Sequence, residues 1–160
     1  GASLAVLRTV TDQEPQVAGK PFRPLLDEAV RRTGAERPIF VGDRIDTDIE
    51  GAHNADMDSL FVFTGAHGKT DLVNTGPHER PTHIGADLRA LLAPPRVIVQ
   101  DAQSVQCGAA TARLDAGTWH LQGVGDDQEA QLDALWALLN GLWLHGGDPG
   151  QALAALPLLP

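Results

Sequence analysis

The sequence predicts an α/β fold: part of a doubly wound, Rossmann-like parallel sheet, followed by a smaller α+β extension at the carboxyl end. A wholly apolar run, Pro38-Ile39-Phe40-Val41-Gly42, and a strongly apolar one, Ser59-Leu60-Phe61-Val62-Phe63-Thr64, each follow a segment with helical spacing. The resulting order of helix, strand, helix, strand requires right-handed crossovers and gathers function at the carboxyl ends of the strands. Past Pro94-Pro95 the composition shifts to short strand-like runs and one long helical pattern, so the expected division is 1–93 for the sheet portion and 94–160 for the extension.

Taken in order, Leu4 to Val10 and Gln16 to Ala18 read as extended, separated by a polar turn over Thr11-Asp12-Gln13-Glu14-Pro15. A helix follows, with Pro24 near its start, Leu25, Leu26, Ala29 and Val30 at helical spacing and Gly34 as its stop. The first apolar run is expected to be a strand buried on both faces, with Asp43 at its carboxyl end. Thr47 or Asp48 is expected to cap the next helix, which runs toward Asn54 and the second strand. After a Gly-, His- and Pro-rich loop over 65–82, a helix is expected from Gly85 to Leu92. Val97 to Val99, Ala110 to Leu114 and Thr118 to Gly123 read as strands, the last two joined across Asp115-Ala116-Gly117. From Asp127 the chain turns helical, with Leu132, Leu135, Trp136, Leu139, Leu142 and Trp143 on one stripe.

Composition narrows the function. The 160 residues carry a formal net charge of −9 and only two lysines, Lys20 and Lys69, so the basic stripe that a nucleic-acid binder needs is lacking. A single cysteine, Cys107, excludes an internal disulfide and a cysteine-held zinc, and a reducing, cytoplasmic setting is expected. No signal or membrane-spanning pattern is visible, so neither membrane nor nucleic acid is an expected partner.

The residues that point to chemistry are Gly19-Lys20-Pro21 and, one helix and one strand later, Gly42-Asp43-Arg44-Ile45-Asp46-Thr47-Asp48-Ile49. Carboxylates clustered at the end of a strand make a hard, oxygen-rich site suited to magnesium, which takes one or two carboxylates plus water and phosphate oxygens. A lysine at the same edge neutralises a phosphoryl group as a point charge. Taken singly, the aspartates also read as loop and cap residues and Lys20 as a surface charge. Their order in the chain favours the site.

With Val17-Ala18-Gly19-Lys20-Pro21, Val41-Gly42-Asp43-Arg44-Ile45-Asp46-Thr47-Asp48-Ile49-Glu50-Gly51-Ala52 and Phe63-Thr64-Gly65, the chain resembles the haloacid dehalogenase (HAD) superfamily of phosphatases over residues 1–92. The resemblance is to its NagD-like, phosphoglycolate and glycerol-phosphate phosphatase subgroup. It implies magnesium-dependent hydrolysis of a small phosphorylated metabolite, with glycerol 3-phosphate as one such substrate. It further implies that Asp43 is the magnesium ligand, that Lys20 holds the phosphoryl group and that Asp48 supports the metal-bound water or neighbouring ligands. Arg44 and Asp46 take supporting places, and Lys69, in the loop after the next strand, becomes a substrate-side contact.

The departures are equally specific. Family members attack phosphate with an aspartate of an Asp-x-Asp motif that follows an early strand, forming an aspartyl-phosphate that water hydrolyses. Here Asp46-Thr47-Asp48 lies inside the acidic loop and Asp56-Met57-Asp58 precedes a strand, so neither fits. The resemblance therefore implies the carboxyl-terminal portion of such an enzyme, with a trace of cap near residues 1–11 and the nucleophile half outside this chain. A catalytically silent fragment or interaction module is the alternative, associating with a second copy or with the other half of the core. The extension resembles the segment appended to some actinobacterial glycerol 3-phosphate phosphatases, itself likened to part of a GCN5-related acetyltransferase, but it contains no acetyl-CoA-binding string.

Other strings are decoys. Gly65-Ala66-His67-Gly68-Lys69-Thr70 has Phe63 where a phosphate-cradling P-loop needs Gly, and a calcium loop begun at Asp46 has Met57 where it needs Glu. The six histidines share no metal-ligand spacing and read as loop or surface residues.

Overall fold

The computed structural model of the chain describes residues 2–11, 14 and 16–160. Its first element is a helix, α1 (Ala2–Thr11), where an extended segment was expected. Leu4 and Leu7, and Val6 and Val10, are spaced as on a helix, and the β-branched Thr9 and Thr11 are accommodated because their hydroxyls donate to the carbonyls of Ala5 and Leu7. The helix buries none of its residues. Gln16–Ala18 is irregular rather than extended strand, and Asp12, Gln13 and Pro15 of the expected turn lie outside the described residues.

Helix α2 (Arg23–Thr33) ends as expected at Gly34, whose left-handed φ of 64° lets its N–H close on the Val30 carbonyl. Strands β1 (Ile39–Gly42), β2 (Asp58–Val62) and β3 (His83–Gly85) form a parallel sheet in that order, with Val41 opposite Leu60 and Leu60 opposite His83. The central β2 buries Leu60, Phe61 and Val62. β1 departs from the expectation of burial on both faces: among the described residues it is paired on one side only, an edge strand with Ile39 exposed and Phe40 to Gly42 half-buried. Between β1 and β2 the chain winds through a π-helical turn (Ile45–Ile49) into helix α3 (Glu50–Asn54). Neither Thr47 nor Asp48 caps that helix; both lie within the turn.

Helix α4 (Lys69–Val73) precedes β3. The helix expected over 85–92 is a 3₁₀ helix (Leu88–Leu92) instead, because Gly85 completes β3 and Asp87 starts the turn by accepting the Arg89 N–H.

The extension is a meander, β4 (Ile98–Gln100), β5 (Ser104–Cys107), β6 (Ala110–Asp115) and β7 (Thr118–Gln122), antiparallel throughout. The expected tight turn joins β6 to β7, with positive φ at Ala116 and Gly117 as a primed hairpin turn requires. Helix α5 (Gln128–His145) follows, its amino end capped by Asp127, which accepts the Ala130 N–H. The expected stripe is only part of its buried surface. Ala134, Ala137, Leu138 and Gly141 are buried as well, because α5 lies between β3 and α4 on one side and the antiparallel sheet on the other. One apolar cluster accordingly joins Phe61, Leu72 and Ile84 to Val105, Trp119 and Leu135, and the final residues contribute Leu156 and Leu159. No described helix is long and apolar enough to cross a membrane.

Candidate active site

Gly42 ends β1 at the carboxyl edge of the parallel sheet and Asp43 follows it, half-buried. The π-helical turn then brings Asp48 back toward the strand. The N–H groups of both Asp48 and Ile49 reach the Arg44 carbonyl, at 2.9 and 3.2 Å, and the widened turn directs the Asp48 side chain inward to 4% exposure. Its Oδ2 accepts the Arg44 N–H at 3.1 Å, and its Oδ1 accepts from Lys20 Nζ at 2.5 Å. Twenty-eight residues apart in sequence, Lys20 and Asp48 thus form a charge-assisted pair with the lysine side chain 40% exposed. The ammonium also lies 5.7 Å from the centre of the Phe40 ring.

Two glycines make this packing possible. A Cβ on Gly42 would fall within 3.0 Å of Asp48 Cβ, Cγ and Oδ2, and one on Gly65 would overlap the Asp43 carboxylate. From the loop after β2, the Ala66 N–H donates to Asp43 Oδ2 at 3.1 Å and the His67 N–H to the Asp43 carbonyl at 3.4 Å. His67 Nδ1 in turn accepts the Ile45 N–H at 2.9 Å, which places the ring proton of the neutral imidazole on Nε2. Asp43 Oδ1 receives no hydrogen bond from the described residues. Arg44 forks onto Asp46 at 3.1 and 2.7 Å in an exposed pair, and the Arg44 hydrogen bonds hold the Asp46 carboxyl below the usual carboxylate range against the opposing effect of burial.

The structure thus unites Lys20 with Asp48 and sets Asp43 beside them, but it does not bring Lys69 into the group. The Lys69 ammonium donates instead to the backbone carbonyls of Leu156, at 2.8 Å, and of Leu159. Such a contact, between residues nearly ninety positions apart, leaves no mark in local sequence. His67 was read as a loop histidine and proves to link two loops. The signal available was its place three residues after the Phe63-Thr64 strand end.

The donor set fits magnesium. Asp43 and Asp48 are two hard oxygen donors at one strand end, the small carboxylate number that magnesium takes, and among the described residues no group of three or more His, Cys, Asp and Glu side chains converges. Asp43 has an oxygen to offer, while both oxygens of Asp48 are occupied by Lys20 and Arg44. Cys107 is no alternative nucleophile. It is buried, and burial first and Asp133 second push its thiol up to about 12, against the opposing effect of Arg96. A cleft of about 1020 Å³ lies at the other end of the sheet, where Ile39 and His83 begin their strands.

A profile of the HAD-hydrolase-like family matches residues 17–91. The chain is 50% identical over 91 residues to the D-glycerol 3-phosphate phosphatase of Mycobacterium tuberculosis, an alignment covering 57% of this chain and 26% of that protein. It is 35% identical over 85 residues to phosphoglycolate phosphatase 2 of Arabidopsis thaliana, covering 52% of this chain and 28% of that one. The crystal structure of the glycerol phosphate phosphatase of Mycobacterium tuberculosis in complex with magnesium aligns with a TM-score of 0.68 at 34% identity, covering 99% of this chain and 48% of that chain. The chain therefore spans about a quarter of the length of these curated relatives and about half of the solved chain.

Proposed function

We propose, from the match of residues 17–91 to the HAD-hydrolase-like family, that this chain supplies the metal-binding and lysine-bearing half of a magnesium-dependent phosphate monoester hydrolase. The proposed substrate is glycerol 3-phosphate or a similarly small phosphate, the class on which the named relatives act. The observation that carries the proposal is the meeting of Lys20 with Asp48 next to Asp43 at the carboxyl end of β1.

In this account Asp43 Oδ1 takes the metal, and magnesium, when bound, neutralises charge on the phosphoryl oxygens. Lys20 adds a second positive charge against the same group. Asp48 is a positioning residue. Its Oδ1 fixes the direction of the lysine side chain, and its Oδ2 fixes the acidic turn through the Arg44 N–H. The attacking carboxylate is assigned to a segment outside these residues, brought alongside the unpaired edge of β1. The extension, 94–160, is proposed to be a structural appendage rather than an acyl-transfer unit, and a reducing, cytoplasmic setting is proposed from the lone Cys107.

A second reading, an interaction module without activity of its own, is favoured by two observations: among the described residues β1 has an open edge, and α1 buries none of its own residues. Reading the frame upstream separates the two. An Asp-x-Asp motif after an apolar strand supports the hydrolase, and its joined polypeptide is expected to hydrolyse glycerol 3-phosphate only with magnesium and to lose turnover as Lys20→Met or Asp43→Asn. Retention of turnover in Asp43→Asn would refute the metal assignment.

A further inference from the structure

The last residues of the chain cross back from the extension to the parallel-sheet half and end against the loop that holds Asp43. Leu156 and Leu159 are buried in the shared core, and the Leu158 N–H donates at 2.8 Å to Oε1 of Gln131, a buried amide on α5. This anchored segment is gripped by Lys69. The Lys69 N–H donates to the Pro160 oxygen at 2.7 Å, and its ammonium donates to the carbonyls of Leu156 and Leu159. The approach is so close that a Cβ on Gly68 would lie 2.6 and 2.7 Å from the oxygen and carbon of the Pro160 carbonyl.

Between Phe63 and Leu72 no side chain is buried, so apolar packing does not fix the course of this loop. Polar contacts at its two ends do. At one end Ala66 and His67 hold Asp43 and Ile45; at the other Lys69 holds the carboxyl-terminal segment.

We propose that Lys69 is a positioning residue: by fastening the 65–69 loop to residues 156–160, it fixes the Ala66 N–H and His67 Nδ1 that orient Asp43 and the acidic turn. The extension thereby sets the geometry of the candidate metal carboxylate from the far side of the core. The functional consequence rests on the metal reading of Asp43 given above; the mechanical link does not.

The test is amide hydrogen exchange, read by NMR on the full 160-residue chain as wild type, Lys69→Met and Lys69→Arg. Removing the ammonium is expected to speed exchange at Ile45 and Leu158 by about fivefold or more, the order expected for loss of one hydrogen bond, with the amides of β6 unchanged. Lys69→Arg, which keeps donors for the two carbonyls, is expected to restore most of the protection. Faster exchange at Leu158 with Ile45 unchanged would overturn the proposal, since the tail would then be free and the loop indifferent. Should Lys69→Met also expose β6, the same comparison is made on Lys69→Gln, whose shorter side chain keeps an amide NH2 as donor, and an unchanged Ile45 there overturns the proposal equally. A magnesium titration of the Ala66 amide separates the two claims. A weaker midpoint in Lys69→Met supports the link to the metal carboxylate, whereas no response in the wild type counts against the metal reading and leaves the exchange result to decide Lys69.

Discussion

Gly42→Ala is the most demanding perturbation of the candidate site, because it adds one methyl group where β1 meets the acidic turn. The new Cβ would fall within 3.0 Å of Asp48 Cβ, Cγ and Oδ2, and Asp48 Cβ, close to its own backbone, cannot swing clear. Either the π-helical turn moves or Asp48 turns away from Lys20 and the Arg44 N–H. Overpacking of this kind costs about 1–3 kcal/mol, and each hydrogen bond to a charged group contributes about 1.5–3 kcal/mol where it is lost. The exposed lysine end recovers water, and alanine in a strand regains about 0.5–1 kcal/mol over glycine, which leaves a net loss of about 2–4 kcal/mol. In urea, with a slope of about 2 kcal/mol per molar, the midpoint falls by about 1–2 M. Gly19→Ala is the control, since its Cβ meets nothing within 4 Å, and it is expected to stay within about 1 kcal/mol of the wild type. A Gly42→Ala midpoint equal to that of Gly19→Ala would refute the close approach of Asp48 to β1.

Other substitutions test the core and the thiol. Gly141→Ala places a Cβ 2.7 and 2.8 Å from Cζ3 and Cζ2 of the buried Trp119 and closer still to Cη2; overpacking of about 3 kcal/mol, the upper end for so close an approach to a rigid ring, less about 1 kcal/mol of helix propensity, is expected to cost about 2 kcal/mol, read as a lower Tm in a calorimetric scan. With its thiol pushed up to about 12, Cys107 is expected to react with a thiol reagent at pH 8 about a thousandfold more slowly than the denatured chain, and equal rates would contradict its burial. The same shift has a definite sign in stability. Above pH 9 the unfolded chain releases the Cys107 proton while the folded chain keeps it, so this contribution falls as pH rises from 9 toward 12. Cys107→Ala is expected to flatten that slope in urea titrations.

Much of the parallel sheet was legible because β1 and the Leu60-Phe61-Val62 centre of β2 are apolar runs and because Gly34 stops α2 where its left-handed φ is required. Other elements were hidden for identifiable reasons. α1 makes no buried contacts, so its apolar spacing competed evenly with the strand propensity of Val6, Thr9 and Val10. β3 has only three residues inside a loop-like composition, and β5 showed only the alternation Ser104-Val105-Gln106-Cys107. The burial of α5 nearly all round depends on two sheets meeting it, which the stripe of Leu132, Leu135 and Leu139 does not announce.

At the site, Lys20 and the string of aspartates stood out by their order in the chain and the family resemblance singled out Asp43 and Asp48, but the contact that joins Lys20 to Asp48 was not legible. Asp48 looked like a helix cap until the π-helical turn brought its carboxylate to Lys20. His67 and Lys69 act through hydrogen bonds whose partners lie 22 and about 90 residues away, beyond any local pattern. Gly42 and Gly65 were part of the motif, yet only the carboxylates packed against them explain why a side chain is excluded there.

The most direct test of the central claim is a magnesium titration of the 160-residue chain, followed by amide shifts with Asp43→Asn alongside. If Asp43 is the metal carboxylate, saturable shifts should centre on Asp43, Ala66 and Asp48 and vanish in Asp43→Asn. Shifts that survive in Asp43→Asn, or that centre on the half-buried Asp87 or the exposed Asp101 carboxylate, would contradict it.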